Sequence, residues 1–431
     1  MGEIAQQDRK AADDLDAEAA PAGPSGSSVA AIAWRNLWRN RRRTWLSAGG
    51  IAFAVWMLVI ALSMQDGSFE IMIDNGSRLL LGHIQIQHPD YQDDARIENT
   101  IVDATVLQRR VAGVNGVVSV APRLQAFALV SSGERSFGAQ ILGVDPALEA
   151  SWSTLPTMLS EGRYLQRSGE VVVGTTLARN IGASVGDEIV ILGTAREGGV
   201  AAVVAELVGT FDTGQSELDR AIVQLPIADF REGWGIAEDE VHVLLVIASS
   251  VGRSEKIADA LGPGNSDWRP LDWRALMPEA QQTIEMKAIG AYFFFALIAT
   301  IVTFSVVNTF MMTIFERTRE FGMLVAIGMK PGAIMLQLQL EAVWLVLLGV
   351  GSGWLIAAGF ILPLMSFGVP LPEEAGDLLR RYNMPERMYP TFSYTAAWLS
   401  AVIMLLGTQL AALIPGLRIR KLRPVEALRA H

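Results

Sequence analysis

Residue types able to do bond-making chemistry are sparse in these 431 residues. The chain has no cysteine, which excludes disulfides, Cys-ligated zinc, iron–sulfur clusters and a Cys nucleophile together. The four histidines are scattered. His83 and His88 stand five apart on an apparent strand, so they face opposite sides and read as surface residues rather than a metal pair. His431 is the last residue. His-Glu-x-x-His does not occur, and Gly182-Ala183-Ser184-Val185-Gly186 matches Gly-x-Ser-x-Gly only in letters, since it reads as a turn feeding a strand rather than the strand-to-helix turn that a nucleophile needs. The five lysines, Lys10, Lys256, Lys287, Lys330 and Lys421, follow no glycine-rich loop, so this sequence carries no P-loop of its own. The acidic pair Glu373 and Glu374 reads as a solvated loop. A dense cluster of both signs is Glu316-Arg317-Thr318-Arg319-Glu320, with four charges in five residues. It turns amphipathic through Gly322 and Gly328 to Lys330. Such a segment can lie along a membrane surface, or be a charged turn before a helix.

The elements around that cluster are unusually apolar. The chain is 51% hydrophobic and 19% charged, with a mean hydropathy of +0.31. Globular chains carry about 25% charge, so the composition fits a membrane protein with a substantial water-soluble part. Four runs are long enough to cross a hydrocarbon core of roughly 30 Å at about 1.5 Å per helical residue. They extend from Leu46 to Met64, from Lys287 to Glu316, from Glu341 to about Met365, and from about Tyr394 to Ile414. Their polar residues are modest: Ser305, Asn308, Thr309 and Gln409, with Asn308 reading as an interhelix hydrogen-bond partner. Glu341 sits at the start of the third run, where an interface position costs little. Gly349-x-x-x-Gly353 in that run fits close helix packing.

Basic residues orient the runs. Arg35, Arg39, Arg41, Arg42 and Arg43 precede the first; Arg317, Arg319 and Lys330 lie between the second and third; Arg418, Arg420, Lys421, Arg423 and Arg429 follow the fourth. The positive-inside rule puts both termini and the second loop in the cytoplasm and the region 67–283 outside. Residues 1–28 are acidic and rich in Ala, Gly, Pro and Ser, without an apolar core, and read as a disordered tail rather than a signal peptide. The net charge of -10 argues against nucleic acid as a partner. The arginine cluster beside the first span reads as a topology and lipid-headgroup anchor.

The region 67–283 has mixed α/β signals. His83-Ile84-Gln85-Ile86-Gln87-His88 alternates with period two, as a half-exposed strand does. Strands are expected over 117–130, 139–144, 170–173, 188–192, 202–211 and 240–249, and short helices over 105–111, 176–181 and 254–261. Residues 69–81 read as a helical continuation of the first span, and 273–287 as the lead into the second.

Three segments carry a family resemblance. Glu316-Arg317-Thr318-Arg319-Glu320-Phe321-Gly322-Met323-Leu324-Val325-Ala326-Ile327-Gly328 resembles the cytoplasmic coupling segment of the FtsX-like permeases, the membrane subunits of LolC/LolE- and MacB-type ABC transporters. Arg35 to Thr44 resembles the family's lead into span one. Pro415 to Arg429, with Pro424-Val425-Glu426-Ala427-Leu428-Arg429, resembles its C-terminal signature. Gly143-Val144-Asp145-Pro146, the Gly186-Asp187 turn and Val208 to Gly214 resemble the MacB-type extracytoplasmic domain.

The resemblance implies an α-helical membrane protein with four transmembrane helices and a mixed α/β, MacB-like extracytoplasmic domain between helices one and two. Its layout would be a tail (1–28), a basic segment with helix one (29–66), the extracytoplasmic domain with helical stalks (67–283), and helices two to four with the coupling segment and C-terminal tail (284–431). It also implies a non-catalytic subunit of the bacterial inner membrane, working by mechanotransmission. A second permease chain, in a homodimer or heterodimer, and a separate LolD-like ABC ATPase would be its partners. ATP and magnesium would bind the ATPase, with no cofactor in this chain. Glu316, Arg317, Arg319, Glu320, Gly322 and Gly328, with Pro424, Glu426 and Arg429, would form the ATPase-coupling surface. The cargo expected first is a lipoprotein, with a periplasmic carrier to receive it as a further partner. Val55, Met57, Leu58 and Ile60, with Phe293, Phe294, Phe295 and Phe304, would line its cavity. Alternatives are a MacB-like export permease with a periplasmic adaptor and an FtsX-like regulator of a cell-wall hydrolase.

Overall fold

The computed structural model describes residues 26–370 and 387–419, with side chains over 30–370 and 387–414. Glu373, Glu374, Pro424, Glu426, Arg429 and His431 lie outside the described residues. The chain divides into two compact units, one of residues 1–63, 289–363 and 392–431, the other of residues 64–288 and 364–391.

Helix α1 (Gly26–Leu37) passes through one 3-10 turn into α2 (Arg41–Gly76), which ends in a π-type turn at Ser77–Leu81. The second unit follows as β1 (Ile84–Gln87), α3 (Ala104–Ala112), β2 (Val117–Ser132), β3 (Arg135–Val144) and α4 (Pro146–Trp152). Next come β4 (Leu159–Gly162), β5 (Glu170–Gly174), α5 (Thr175–Ile181), β6 (Glu188–Thr194) and β7 (Val200–Phe211). The unit continues through α6 (Ser216–Ala221), β8 (Ile222–Pro226), α7 (Ile227–Trp234), β9 (Val243–Ala248), α8 (Ser254–Leu261), β10 (Arg269–Asp272) and α9 (Trp273–Leu276).

Six of these strands close on themselves. β2 pairs with β3, β3 with β8, β8 with β5, β5 with β7, β7 with β6, and β6 returns to β2. Each wall strand sends a buried residue into one core: Val130, Ile141, Val223, Val173, Leu207 and Ile191. That closure removes sheet edges. Phe230 and Trp234 of α7 stack at 4.3 Å within the same core. Gly143 makes room for them, since a Cβ there would stand 2.7 Å from Phe230. From β2 the sheet extends sideways through β9, β1 and β10.

The expected strands and short helices form. β4, β8, β10, α4, α6 and α7 were not anticipated. β1 is buried along its whole length instead of half-exposed, because β9 and β10 flank it and both its faces are covered. His83 is likewise fully buried, not a surface residue. Its Nε2 lies 3.0 Å from Asp74 Oδ1, and its Nδ1 accepts from the Ala248 amide at 3.3 Å. His88, just past the strand, is partly exposed.

Two groups in this unit make its stability acid-sensitive. His242 is buried; its Nδ1 accepts from the Gln125 amide at 2.9 Å and its Nε2 lies 3.1 Å from the Ile97 carbonyl. Burial depresses its pKa to about 4 from 6.5. Glu170 is held at about 2, against 4.5, chiefly by hydrogen bonds from Arg163, then by the Gln166 and Arg167 amides. Both groups bind fewer protons folded than unfolded, so stability falls as pH falls. Denaturant titrations should show loss between about pH 6.5 and 4 from His242, then between about 4.5 and 2 from Glu170. His242→Asn should flatten the first interval only; an unchanged slope there would refute the assignment.

The remaining helices are α10 (Pro278–Glu316), α11 (Thr318–Ala326), α12 (Pro331–Phe367) and α13 (Tyr394–Ile419), with the short pair β11 (Val369–Pro370) and β12 (Arg387–Met388) between the last two. Among the described residues, four helices are long and apolar enough to cross a membrane: 30–81, 278–316, 331–367 and 394–414. In the first unit α12 packs on α2 through Gly349 and Gly353, where added Cβ atoms would lie 2.7 Å from Ile51 and 2.8 Å from the Ala52 carbonyl. Polar contacts between helices are few and specific. Ser47 Oγ meets Thr309 Oγ1 at 3.1 Å, Trp354 Nε1 donates to the Ala397 carbonyl at 3.2 Å, and Gln339 and Gln409 exchange amide–carbonyl bonds. Asn308 is exposed with no partner among the described residues; its neighbour Thr309 makes the interhelix bond instead.

Candidate functional site

The charged cluster falls at the joint between α10 and α11. Arg317 is buried there. Its Nε donates to Glu320 at 2.9 Å and its Nη1 to Glu341 at 3.3 Å, while the guanidinium sits 5.0 Å over the Phe321 ring. Glu316 takes a two-pronged bond from Arg43, at 2.8 and 3.1 Å. Glu320 also pairs with Arg39 at 3.0 Å. Burial pushes the Glu320 carboxyl up, but the hydrogen bonds and charges of Arg317 and Arg39 outweigh it and leave it below the usual range. Arginines of the α1–α2 elbow and Glu341 thus engage Glu316, Arg317 and Glu320 within the chain, while the Glu316 and Glu320 side chains stay partly exposed. Gly322 is buried.

What α11 leaves exposed is different. Arg319 and Lys330 are exposed and have no partner among the described residues. Met323 and Ile327 are exposed between them, Ile327 to 86%. Positions 319, 323 and 327 recur at helical spacing, so Arg319, Met323 and Ile327 form one ridge along α11 and its C-cap, and Lys330 lies in the turn that follows. Gly328 ends the segment at φ +102°, in the left-handed region that glycine adopts without strain. No local pattern in the sequence marks Met323 and Ile327 as exposed, because apolar residues in an apolar-rich segment give no such signal.

Glu341 is the second departure. It is not a cheap interface residue but a buried carboxylate in α12, accepting from Asn36 Nδ2 at 2.9 Å and Gln337 Nε2 at 3.4 Å besides Arg317. A cavity of about 160 Å³, lined by Asn36, Arg39, Arg43, Thr313 and Glu341, lies against this network.

The eight expected cavity residues do not share one surface. Val55, Leu58 and Phe295 are buried in the helical core of the first unit, Val55 directly against Gly353. Ile60 is half-buried against the same core. Met57, Phe293, Phe294 and Phe304 are exposed. The physical reason is that an α-helix presents successive residues to different faces, so runs such as Phe293-Phe294-Phe295 cannot line one wall. Phe304 borders an open groove of about 490 Å³ with Thr303, Leu406 and Leu410.

In the second unit the end of α2 is fastened to the barrel. Arg123 of β2 and Glu149 of α4 form a buried ion pair, and Arg123 Nη1 also donates to the Leu80 carbonyl. Gln224 donates to Glu149 at 3.4 Å and accepts from Tyr164 at 2.7 Å. The Thr154 amide donates to the Arg78 carbonyl at 3.1 Å. Beside this joint is a largely apolar cavity of about 380 Å³, lined by Met72, Ile73, Leu79, Met158 and Met277 among others.

The family described as MacB-like periplasmic core domain matches residues 44–263, about half of the chain, and the FtsX-like permease C-terminal family matches residues 292–424. The lipoprotein-releasing system transmembrane protein LolC of Neisseria meningitidis serogroup B is 24% identical over 304 residues, covering 68% of this chain and 70% of that protein. LolC of Xylella fastidiosa is 22% identical over 88% of this chain and 92% of its own length. The macrolide export ATP-binding/permease protein MacB of Rhodospirillum rubrum is 25% identical over 93% of this chain, and this chain spans 60% of it. With the two family matches following each other along one sequence, the chain belongs to the FtsX-like ABC transporter permeases of the LolC/LolE/MacB type and carries a MacB-like periplasmic core domain.

Proposed function

We propose that this chain is the membrane subunit through which a separate ATPase drives work on the outer side of a bacterial inner membrane, the work being release of acylated lipoproteins. One observation carries this reading. The chain aligns with a LolC transmembrane protein over 88% of its own length and 92% of that protein's. The four apolar helices would span the bilayer with their arginine-rich ends in the cytoplasm. The α11 ridge would then face the ATPase, with Met323 and Ile327 entering an apolar groove and Arg319 and Lys330 meeting an acidic rim. ATP and magnesium would bind the ATPase. A second permease chain would complete the assembly. Because α2 and α10 run on past their apolar stretches, a shift at the ATPase would reach the periplasmic domain without cargo crossing the membrane.

A second reading is MacB-like export with a periplasmic adaptor. The MacB match covers 93% of this chain against 68% for the Neisseria LolC, which favours it. Purification from native membranes in mild detergent, with mass spectrometry of acylated peptides, separates the two. A P-loop ATPase with triacylated lipoproteins is expected; an ATPase with an adaptor and no lipoprotein would overturn lipoprotein release. Ile327→Asp should reduce ATPase recovery by about tenfold, since a charge desolvated at an interface core costs at least the ~1.4 kcal/mol of one decade. The chain itself should stay folded because Ile327 touches little of it. Undiminished recovery would remove the ridge from the interface.

A further inference from the structure

The proposed docking ridge leaves one buried ionisable group without a role. Glu341 is 5% exposed in a helix whose neighbours are Leu338, Ala342 and Leu345, all buried and apolar. A carboxylate is among the costliest side chains to bury in such surroundings, so the partners that justify it are informative. Here they come from three places in the chain: Asn36 of α1, Arg317 at the α10–α11 joint, and Gln337 one turn earlier in α12. Arg317 passes the connection to Glu320 of α11, and Glu320 passes it to Arg39 in the turn after α1. Beside it, Arg43 binds Thr313 at 3.0 Å and Glu316, and Ser47 binds Thr309. Residues 39, 43 and 47 are spaced by four, as are 309 and 313, so donors on one helix face meet acceptors along the other.

Plain stability does not call for this arrangement. Well-packed apolar residues of similar volume stabilise a core as well as a buried ion pair does, or better. What a carboxylate adds is direction: its oxygens accept only from donors placed along their lone pairs. We infer that Glu341 is a positioning residue, which locks α11, the α1–α2 elbow and α12 into one body so that any displacement of α11 is delivered to three helices together. The consequence for transport rests on the proposed docking of an ATPase at α11; the lock itself does not.

The absence of native cysteine makes the lock directly measurable. Cysteines introduced at the exposed positions Arg35 and Arg319 would carry spin labels on the full-length chain in lipid nanodiscs. Double electron–electron resonance should give one narrow distance distribution for the otherwise native chain. Glu341→Ala should at least double its width, and the milder Glu341→Gln should do so partly if the alanine variant fails to fold. Exchanging the charges, Arg317→Glu with Glu341→Arg, should restore much of the narrow distribution. Distributions unchanged in Glu341→Gln and Glu341→Ala would overturn the inference, as would broadening that the exchange does not reverse. In the ATPase complex, Glu341→Gln should lower cargo released per ATP by about tenfold with ATP hydrolysis retained. A native chain that captures no ATPase would defeat the docking proposal while leaving the distance measurement decisive for the lock.

Discussion

Replacing Gly353 with leucine should prevent the helical unit from reaching its native packing, and Gly349→Leu should do the same. At both positions α12 approaches α2 so closely that even a methyl group has nowhere to go. A Cβ on Gly353 would lie 2.8 Å from the Ala52 carbonyl oxygen and 2.9 Å from Val55 Cβ; one on Gly349 would lie 2.7 Å from Ile51 Cβ and 3.0 Å from the Ala48 carbonyl oxygen. All four of these neighbours are backbone or Cβ atoms of a helix, which cannot rotate aside. Alanine at either site should cost about 1–3 kcal/mol by overpacking, and leucine more. The double alanine variant should cost less than the sum, because the first methyl that parts the helices also makes room for the second. Gly351 and Gly359 are internal controls in the same helix, since nothing lies within 4 Å of a Cβ at either. Alanine there should be neutral or stabilise by up to about 1 kcal/mol through helix propensity. Thermal unfolding in detergent, followed by tryptophan fluorescence, reads all seven variants. A Gly353→Leu chain melting with the native one would show that the α2–α12 seam is looser than described.

The Gly349-x-x-x-Gly353 spacing was legible in sequence because small residues four apart fall on one helix face, and only close approach rewards two of them there. The long apolar runs were legible for a similar reason: their length alone decides. Strands such as β2, β6 and β7 announced themselves by β-branched residues between turn glycines. Glu341 was not legible. In a hydropathy profile a lone acid at the head of an apolar run looks like an interface residue, and its donors Asn36 and Arg317 are too distant in sequence for any local pattern. Strand β8 is a five-residue buried run, which periodicity cannot distinguish from a buried piece of helix. β1 misled for the opposite reason. Its Ile-Gln alternation is that of a half-exposed strand, but Gln85 is buried and donates to the Leu81 carbonyl at 2.8 Å. The internal partners of the charges at the head of α11 were not legible, because a run of Glu and Arg looks the same whether it faces solvent or the arginines of another helix. Side-chain type fixes what a residue needs; only the fold decides which neighbour supplies it.

Arg123→Ala should be the most damaging single change in the periplasmic core domain, at about 3–5 kcal/mol, the cost of removing one partner from a buried ion pair. Arg123 and Glu149 have side-chain exposures of 1% and 2%, so neither charge is appreciably hydrated. Removing the guanidinium strands the Glu149 carboxylate with Gln224 as its remaining side-chain donor, and takes a hydrogen bond from the Leu80 carbonyl. It also empties the space over the Trp152 ring, where the guanidinium carbon lies 5.6 Å from the centroid. Arg123→Met with Glu149→Leu removes both charges and refills most of the volume, so it should recover a large part of the loss. Full recovery is not expected, because the Leu80 carbonyl stays unpaired. Arg163→Ala is the matched comparison. Glu170 would keep Arg167 and two backbone amides, and Arg163 is 41% exposed, so the cost should be clearly smaller. Denaturant midpoints rank the variants, and hydrogen exchange locates the damage. Exchange should accelerate first at the π-type turn over residues 77–81 and at the Gly82 amide, which donates to Ser77 across that turn at 2.7 Å. Acceleration spread evenly over the barrel, with the turn no faster than β5 or β7, would mean that Arg123 supports the core in general. Acceleration confined to the turn would mean that the pair fastens the end of α2 to the barrel, and a motion delivered along α2 would then enter the domain at that joint.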